Sequence, residues 1–293
     1  MRFAPRVAVA ALVTTTAAAA ALLSFSVPAL ATPVPPAPNP SLIRTWTNTN
    51  PATNNVVDIV ISRHGNGITV DGFGACSPAP CEWGAIQGTV FGTSVSSVTG
   101  NSFEANWNFG FAREVLLGTL NLREKPATLT VQEFTTFTDH SGRANFTVTE
   151  TFRPGRRIVP TQTGTRAANY PLGDSVRPVN ALLGVWVNIS PTTAGIRKIV
   201  LTRVAGRLYV SAFGNCSPTL CVWGKIRGIT FGTSITSVSG RAFLAPYVFG
   251  FAKKLVDGAI NAKGTLLTVQ TYTEFTDHSG RSNYLYVDTF RRG

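Results

Sequence analysis

The chain is one unit written twice. RTWTNTNP at 44–51 matches GVWVNISP at 184–191, and FGACSPAPCEWG at 73–84 matches FGNCSPTLCVWG at 213–224, always 140 residues apart. After a two-residue gap the offset becomes 138, and it holds to the C-terminal end of each copy. A unit of about 110 residues can bury a core of its own. The repeat therefore predicts two domains of the same fold, 42–154 and 182–293.

The segments outside the repeats indicate export. Residues 1–31 begin with Arg2 and Arg6, continue with an Ala/Val/Leu-rich stretch and end in Ala29-Leu30-Ala31, which is typical of a secretory signal peptide. No other run reaches the roughly 18 apolar residues that a membrane-spanning helix needs. The sequence therefore predicts a secreted, extracellular protein without a membrane span.

Two further segments have the composition of connectors. Residues 32–41 are rich in proline, and residues 155–181 combine Pro, Gly, Asn and charges, which predicts an extended, exposed linker. Arg156-Arg157 within it is a candidate proteolysis point.

The chain is strongly basic, with a formal net charge of +12. The Lys and Arg residues are scattered, so we expect attraction to an anionic surface polymer and no specific nucleic-acid binding. The four cysteines form two identically spaced pairs, Cys76/Cys81 and Cys216/Cys221, which predicts two local disulfides in an exported chain. A four-cysteine zinc site shared by the halves is the alternative. We expect no metal and no cofactor.

Alternation with a period of two predicts an all-β protein. The second unit divides into eight strands, near 183–189, 196–204, 207–213, 221–231, 241–249, 251–261, 265–276 and 281–291. Eight antiparallel strands joined in sequence favour an up-and-down barrel, because closure removes exposed edges. We therefore predict two tandem eight-stranded antiparallel up-and-down barrels, with β-sandwiches as the alternative.

A Ser-His-Asp triad is one interpretation of the repeated sequence Asp-His-Ser-Gly-Arg at 139–143 and 277–281. Consecutive side chains diverge and cannot converge on one point as a triad requires. A tight hairpin, in contrast, needs Asp or Ser at its start and Gly at a positive φ. We therefore interpret both stretches as turns and assign no catalytic residue.

In such a barrel alternate loops share one rim, which gathers the disulfide loops and these turns. The predicted rim residues are Trp83, Asp139, Arg143, Trp223, Asp277 and Arg281. The last strand places a carboxylate, Glu150 or Asp288, on the same face as aromatic residues. If that face points inward, the carboxylate needs a partner and becomes a candidate binding group; if it points outward, the carboxylate is solvated.

The two ends of each unit resemble avidin-like proteins. Trp46-Thr47-Asn48 and Trp186-Val187-Asn188 are similar to the W-x-N of their first strand, GVW is close to the G-x-W of lipocalins, and Asp288-Thr289-Phe290 resembles their closing D-T-F. In avidins the asparagine and the aspartate bind the ureido group of biotin. The resemblance implies a calycin-like barrel with the polar pairs Asn188/Asp288 and Asn48/Glu150.

The function predicted from these patterns is secreted, non-enzymatic binding of a small molecule or glycan at one rim of each barrel. The two sites are predicted to be unequal, because corresponding positions of the repeats carry different residues: Glu150 corresponds to Asp288, and Glu82 to Val222. One alternative is a secreted hydrolase that uses the Asp-His pairs. The other is an interaction module, similar to a protease inhibitor, that uses the disulfide loop as a wedge.

Overall fold

The computed structural model describes residues 36–76, 78–156 and 176–293. The predicted signal peptide and most of the predicted linker lie outside these residues. The first repeat forms a closed eight-stranded antiparallel barrel. Its strands are β1 (Thr45–Asn48), β2 (Val56–His64), β3 (Gly67–Gly74), β4 (Cys81–Phe91), β5 (Ser102–Asn108), β6 (Ala112–Asn121), β7 (Thr128–Phe137) and β8 (Phe146–Pro154). Strand β8 pairs with β1 and closes the barrel.

The second repeat forms a nearly closed barrel in the same order. Its strands are β9 (Gly184–Asn188), β10 (Ile196–Val204), β11 (Arg207–Gly214), β12 (Cys221–Arg227 and Ile229–Phe231), β13 (Ala242–Val248), β14 (Ala252–Ile260), β15 (Leu266–Phe275) and β16 (Tyr284–Arg292). The two parts of β12 form the two ends of the sheet, and only Gly228 separates them along the chain. The predicted all-β fold of two tandem up-and-down barrels is confirmed.

The last strand begins at Phe146 and Tyr284, later than predicted, because an asparagine ends the preceding turn. Asn145 Oδ1 accepts the Phe137 backbone N–H at 3.0 Å, and Asn283 Oδ1 accepts that of Phe275 at the same distance. The proline-rich segment also has a structural part, since Ala37–Pro38 pairs in parallel with Thr99–Gly100.

One end of each barrel is filled with apolar side chains. In the first barrel Trp46 and Phe152 are fully buried and pack with Ile59, Phe103 and Leu129. Trp186 and Phe290 are their counterparts in the second. Each tryptophan Nε1 donates to a backbone carbonyl four residues earlier, Leu42 or Leu182. The W-x-N tryptophans therefore close the end of the barrel opposite to the predicted rim.

The barrels pack against each other with approximate two-fold symmetry. The Gly92 N–H donates to the Asn283 carbonyl, and the equivalent Gly232 N–H donates to that of Asn145, both at 2.9 Å. Between the sheets lies a separate apolar cluster that includes Phe91, Phe134, Phe231 and Tyr272. Each barrel thus supports the start of the other barrel's last strand.

Asp257 is a buried polar group in this interface, on the outer face of β14. Hydrogen bonds from Gln132 and Gln270 reach its carboxyl group, and the Gln270 amide also donates to Gln132 at 3.1 Å. Burial nevertheless raises the pKa of Asp257 to about 8. The first repeat has Leu117 at this position, so the interface is not symmetric in polarity.

Candidate functional site

The half of each barrel nearest the rim is lined by aromatic rings. In the first barrel the Trp83 ring lies edge-on to Trp107 at 5.4 Å and to Phe109 at 5.7 Å. In the second barrel the Trp223 ring lies edge-on to Tyr247 at 5.6 Å and to Phe249 at 5.7 Å. Both tryptophans are only partly buried. Each barrel therefore has an aromatic wall on β4–β5 or β12–β13 whose tryptophan remains partly exposed.

The glycines of β3 and β11 let the tryptophan ring lie flat against the sheet. A Cβ atom at Gly74 would come within 2.9 Å of the Trp83 Nε1, and one at Gly214 within 2.7 Å of the Trp223 Nε1. Such distances are shorter than van der Waals contact. The repeated F-G before each disulfide loop is thus the local reason that the tryptophan occupies the inner wall.

Three carboxylates line the first barrel on the three strands that follow this wall, and Glu114 on β6 pairs directly with Trp107 on β5. The three carboxylates are Glu114 on β6, Glu133 on β7 and Glu150 on β8. Each lies two residues from an apolar residue of the barrel core on the same strand face, namely Leu116, Val131 and Phe152. The three side chains therefore point into the barrel. This arrangement was not predicted for Glu114 and Glu133.

The surroundings of Glu114 and Glu133 disfavour ionisation. Glu114 is buried and accepts a hydrogen bond from Thr135 Oγ1 at 2.8 Å. Burial and the neighbouring Glu133 raise the pKa of Glu114. Burial and the charge of Glu150 raise the pKa of Glu133 to about 8, although the Val56 backbone donates to it. The Glu133 side chain is 5% exposed, and its Oε2 has no hydrogen-bond partner among the described residues.

The second barrel differs at all three positions and keeps a carboxylate at only one of them. Lys254 replaces Glu114, Thr271 replaces Glu133, and Asp288 replaces Glu150. The Lys254 ammonium donates to Thr273 Oγ1 at 2.8 Å and lies 5.2 Å from the centre of the Trp223 ring and 5.5 Å from that of Tyr284. Burial, followed by the charge of Arg281, lowers the pKa of Lys254 to about 8.

The carboxylate of the last strand faces inward in both barrels and holds the first loop of its own barrel. Thr193 Oγ1 donates to Asp288 Oδ1 at 2.9 Å, and Thr53 Oγ1 donates to Glu150 Oε1. Asp288 is 9% exposed, and Glu150 is partly buried. These hydrogen bonds are the partners that an inward carboxylate requires.

The two asparagines of the W-x-N motif serve the same loop. Asn48 Nδ2 donates to the Val56 carbonyl at 2.7 Å and its Oδ1 accepts the Asn50 N–H at 2.8 Å. Asn188 makes the equivalent bonds to Ile196 and Ser190. Both amide groups are thereby satisfied within the protein, so a ligand would have to compete with these backbone partners.

The Asp-His-Ser-Gly-Arg segments form turns at the rim. Asp139 accepts the Ser141 N–H at 3.1 Å and pairs with Arg143 at 2.6 Å; Asp277 makes the same contacts with Ser279 and Arg281. Hydrogen bonds from Ser141 and from Arg143 lower the pKa of Asp139 to about 2.

The arginines of these turns cover aromatic side chains. The Arg143 guanidinium lies 4.0 Å from the Phe137 ring centre, and that of Arg281 lies 3.9 Å from the Phe275 ring centre. Both histidines, His140 and His278, are exposed at a φ of 56°. Neither imidazole hydrogen-bonds to a described residue, whereas acid–base chemistry requires a partner within hydrogen-bond reach.

The predicted disulfides are present, Cys76–Cys81 and Cys216–Cys221. They close the loops that precede Trp83 and Trp223, and zinc coordination by the four cysteines is thereby wrong. In the second barrel residues 215–220 are all exposed. Disulfides are compatible with an extracellular protein.

No protein family model matches the chain, and no curated protein matches it in sequence. In the parts of the chain that the structure describes, no three or more His, Cys, Asp or Glu side chains are grouped to hold a metal ion. Nor does any helix there have the length and hydropathy needed to cross a membrane.

The sequence contained a signal for the three residues that were missed. Glu114 and Lys254 lie two residues before the buried Leu116 and Val256, and Glu133 lies two after Val131, so alternation places each of them inside a barrel. The larger difference between the two repeats is therefore Glu114 against Lys254, not Glu150 against Asp288.

Proposed function

We propose that the protein is a secreted binding protein and that the open half of each barrel takes up a small amphipathic molecule. One observation carries this proposal: the inner wall of each barrel changes from packed apolar residues to partly exposed aromatic rings beside inward-facing polar groups. Aromatic walls with a few convergent polar groups are typical of small-molecule sites. The likeness to the calycin-like barrels rests on the W-x-N and D-T-F motifs at the two ends of each unit and remains part of the proposal.

The partly buried side chains of the last strand supply the other wall of the proposed sites. They are Phe146 and Val148 in the first barrel and Tyr284 and Tyr286 in the second. Each last strand is fixed at its start by the other barrel, through Gly232 and Gly92. A ligand between the tryptophan and the last strand would therefore meet two walls that are already positioned.

Native mass spectrometry of the mature protein from culture fluid is the first test, because it detects a ligand that co-purifies. Its partner experiment is a titration of the intrinsic fluorescence with amphipathic probes. Trp83→Leu and Trp223→Leu should each remove one binding event, while the exposed Val98→Thr and Val238→Thr should remove none. Full binding to the Trp83→Leu/Trp223→Leu double variant would contradict the proposal.

An interaction module is the second candidate, and the exposure of residues 215–220 is the observation that favours it. A disulfide loop that projects from the rim could enter a cleft in another protein. Replacing Pro218 and Thr219 with glycine would abolish capture of such a partner and leave small-molecule binding unchanged. The hydrolase alternative lacks comparable support, because both histidines are exposed and both turn aspartates are paired with arginines.

A further inference from the structure

The two proposed sites differ most at a single position on the inner wall. Glu114 on β6 lies opposite Thr135, and Lys254 on β14 lies opposite Thr273. Each charged side chain hydrogen-bonds to its threonine at 2.8 Å. The same place in two barrels of the same fold therefore carries opposite charge types.

Lys254 shows that an ammonium group fits between the aromatic wall and the last strand. Its Nζ lies near the rings of Trp223 and Tyr284, and the whole Lys254 residue is 8% exposed. Such contacts with ring faces are favourable for a partly desolvated cation. The second barrel thus contains, from its own chain, a cation at the centre of the site.

The first barrel has the complementary surroundings but carries acids in place of the lysine. Trp83 occupies the position of Trp223, and Glu114, Glu133 and Glu150 face the interior. The Glu133 Oε2 is buried without a partner in the described residues. A buried polar atom left unsatisfied is rare, and a hydrogen-bond donor on a bound molecule would satisfy it.

We propose that the first barrel binds an amphipathic organic cation, and that Lys254 excludes such a cation from the second barrel. This proposal rests on the proposed function. The ligand's protonated amine would lie between Trp83 and the side chains of Glu114 and Glu133, where Lys254 Nζ lies in the other barrel. Its charge would favour the ionised form of both carboxyl groups and so lower their raised pKa values on binding. Its apolar body would lie along Trp107 and Phe146.

The probe is phenethylamine, which is protonated at pH 7.5, compared with neutral 2-phenylethanol and anionic 3-phenylpropionate. Isothermal titration calorimetry on the mature chain should show one phenethylamine per chain, bound at least about tenfold more tightly than the alcohol. Glu133→Gln should weaken amine binding by about tenfold and leave alcohol binding nearly unchanged. Glu124→Gln, the same substitution in a turn at the other end of the barrel, is the matched control.

Exchange of the two charge types provides a reciprocal test. Glu114→Lys should abolish amine binding, and Lys254→Glu should raise the stoichiometry from one amine to two. Thermal unfolding of each variant confirms that it is folded, and Glu114→Gln is the fallback if the lysine variant is not. An amine that binds no better than the alcohol, or that binds Glu133→Gln and Glu114→Gln unchanged, overturns the cation proposal and leaves the binding function standing. If none of the three probes binds and native mass spectrometry finds no ligand, the binding function and the cation proposal both fail.

Discussion

Lys254 occupies in the second barrel the position that Glu114 occupies in the first. Lys254 Nζ donates a hydrogen bond to Thr273 Oγ1 at 2.8 Å, and Glu114 accepts one from Thr135 Oγ1 at the same distance. The repeats therefore conserve the hydrogen bond to the next strand while they reverse the charge. A duplicated barrel that keeps its walls and changes one inward group can acquire a second specificity without altering the fold. The two sites are accordingly expected to respond independently to substitution.

The free protein should lose stability as the pH rises from about 5 to about 8.5. The pKa of Glu133 is raised from its ordinary 4.5 to about 8 in the folded chain. Between these values the folded state retains a proton that the unfolded state has released, so the free energy of unfolding falls with pH. Glu114 and Glu150 face Glu133 from the neighbouring strands. The charge of Glu150 helps to raise the pKa of Glu133, and the pKa of Glu114 is itself raised, so Glu114 contributes with the same sign.

Glu133→Gln should make the free energy of unfolding depend less on pH. Relative to the parent, the variant should be more stable at pH 8.5 than at pH 5 by roughly 1 kcal/mol or more. Urea unfolding at both pH values measures the difference. Asp257, whose pKa is also about 8, contributes with the same sign, so some slope should persist. Equal slopes for Glu133→Gln and the parent would show that Glu133 is already ionised in the free protein.

Asp288→Ala should loosen the loop between β9 and β10, because Thr193 Oγ1 loses its acceptor. The expected cost is about 1–3 kcal/mol, and Asp288→Asn should cost less. A Cβ at position 195 would come within 2.5 Å of Asp288 Oδ2. Gly195→Ala should therefore destabilise the parent but not Asp288→Ala, and a double-mutant cycle measures that coupling. Additive effects would mean that the two residues are not in contact.

Phe231→Ala should weaken the contact between the barrels. The Phe231 ring lies edge-on to Phe134 of the other barrel, with centroids 4.9 Å apart. Loss of a fully buried phenylalanine costs about 3–5 kcal/mol, and calorimetry should then resolve two unfolding transitions. Phe251→Ala, at a ring that is 43% exposed, is the matched control. A single unshifted transition in Phe231→Ala would show that the interface adds little to stability.

Removal of one disulfide should have a local effect. A bridge across about six residues contributes roughly 2 kcal/mol through the entropy of the unfolded chain. The Cys76→Ser/Cys81→Ser variant should therefore unfold at lower denaturant concentration with an unchanged far-ultraviolet circular dichroism spectrum. The Cys216→Ser/Cys221→Ser variant should show a similar loss. A collapse of the whole fold in either variant would mean that the loop organises more than its own ends.

The sequence supported prediction of the fold at the level of single elements. All eight predicted strands of the second unit are present, and both cysteine pairs are bonded. Turn chemistry was equally readable, since the Asp and Ser of each Asp-His-Ser-Gly-Arg segment hydrogen-bond within the turn. The error at the start of the last strand came from the asparagine side chain, which substitutes for a strand partner.

The sequence by itself determined the duplication, the strands, the turns and the disulfide loops, because these depend on alternation, spacing and contacts between near neighbours. Only the tertiary structure decided that Glu114, Glu133 and Glu150 share one interior, and that Gln132 meets Gln270 across the two barrels. Residues on different strands become neighbours only when the sheet closes and the barrels dock. The raised pKa values and the unpartnered Glu133 oxygen therefore exist only after the sheet has closed and the barrels have docked.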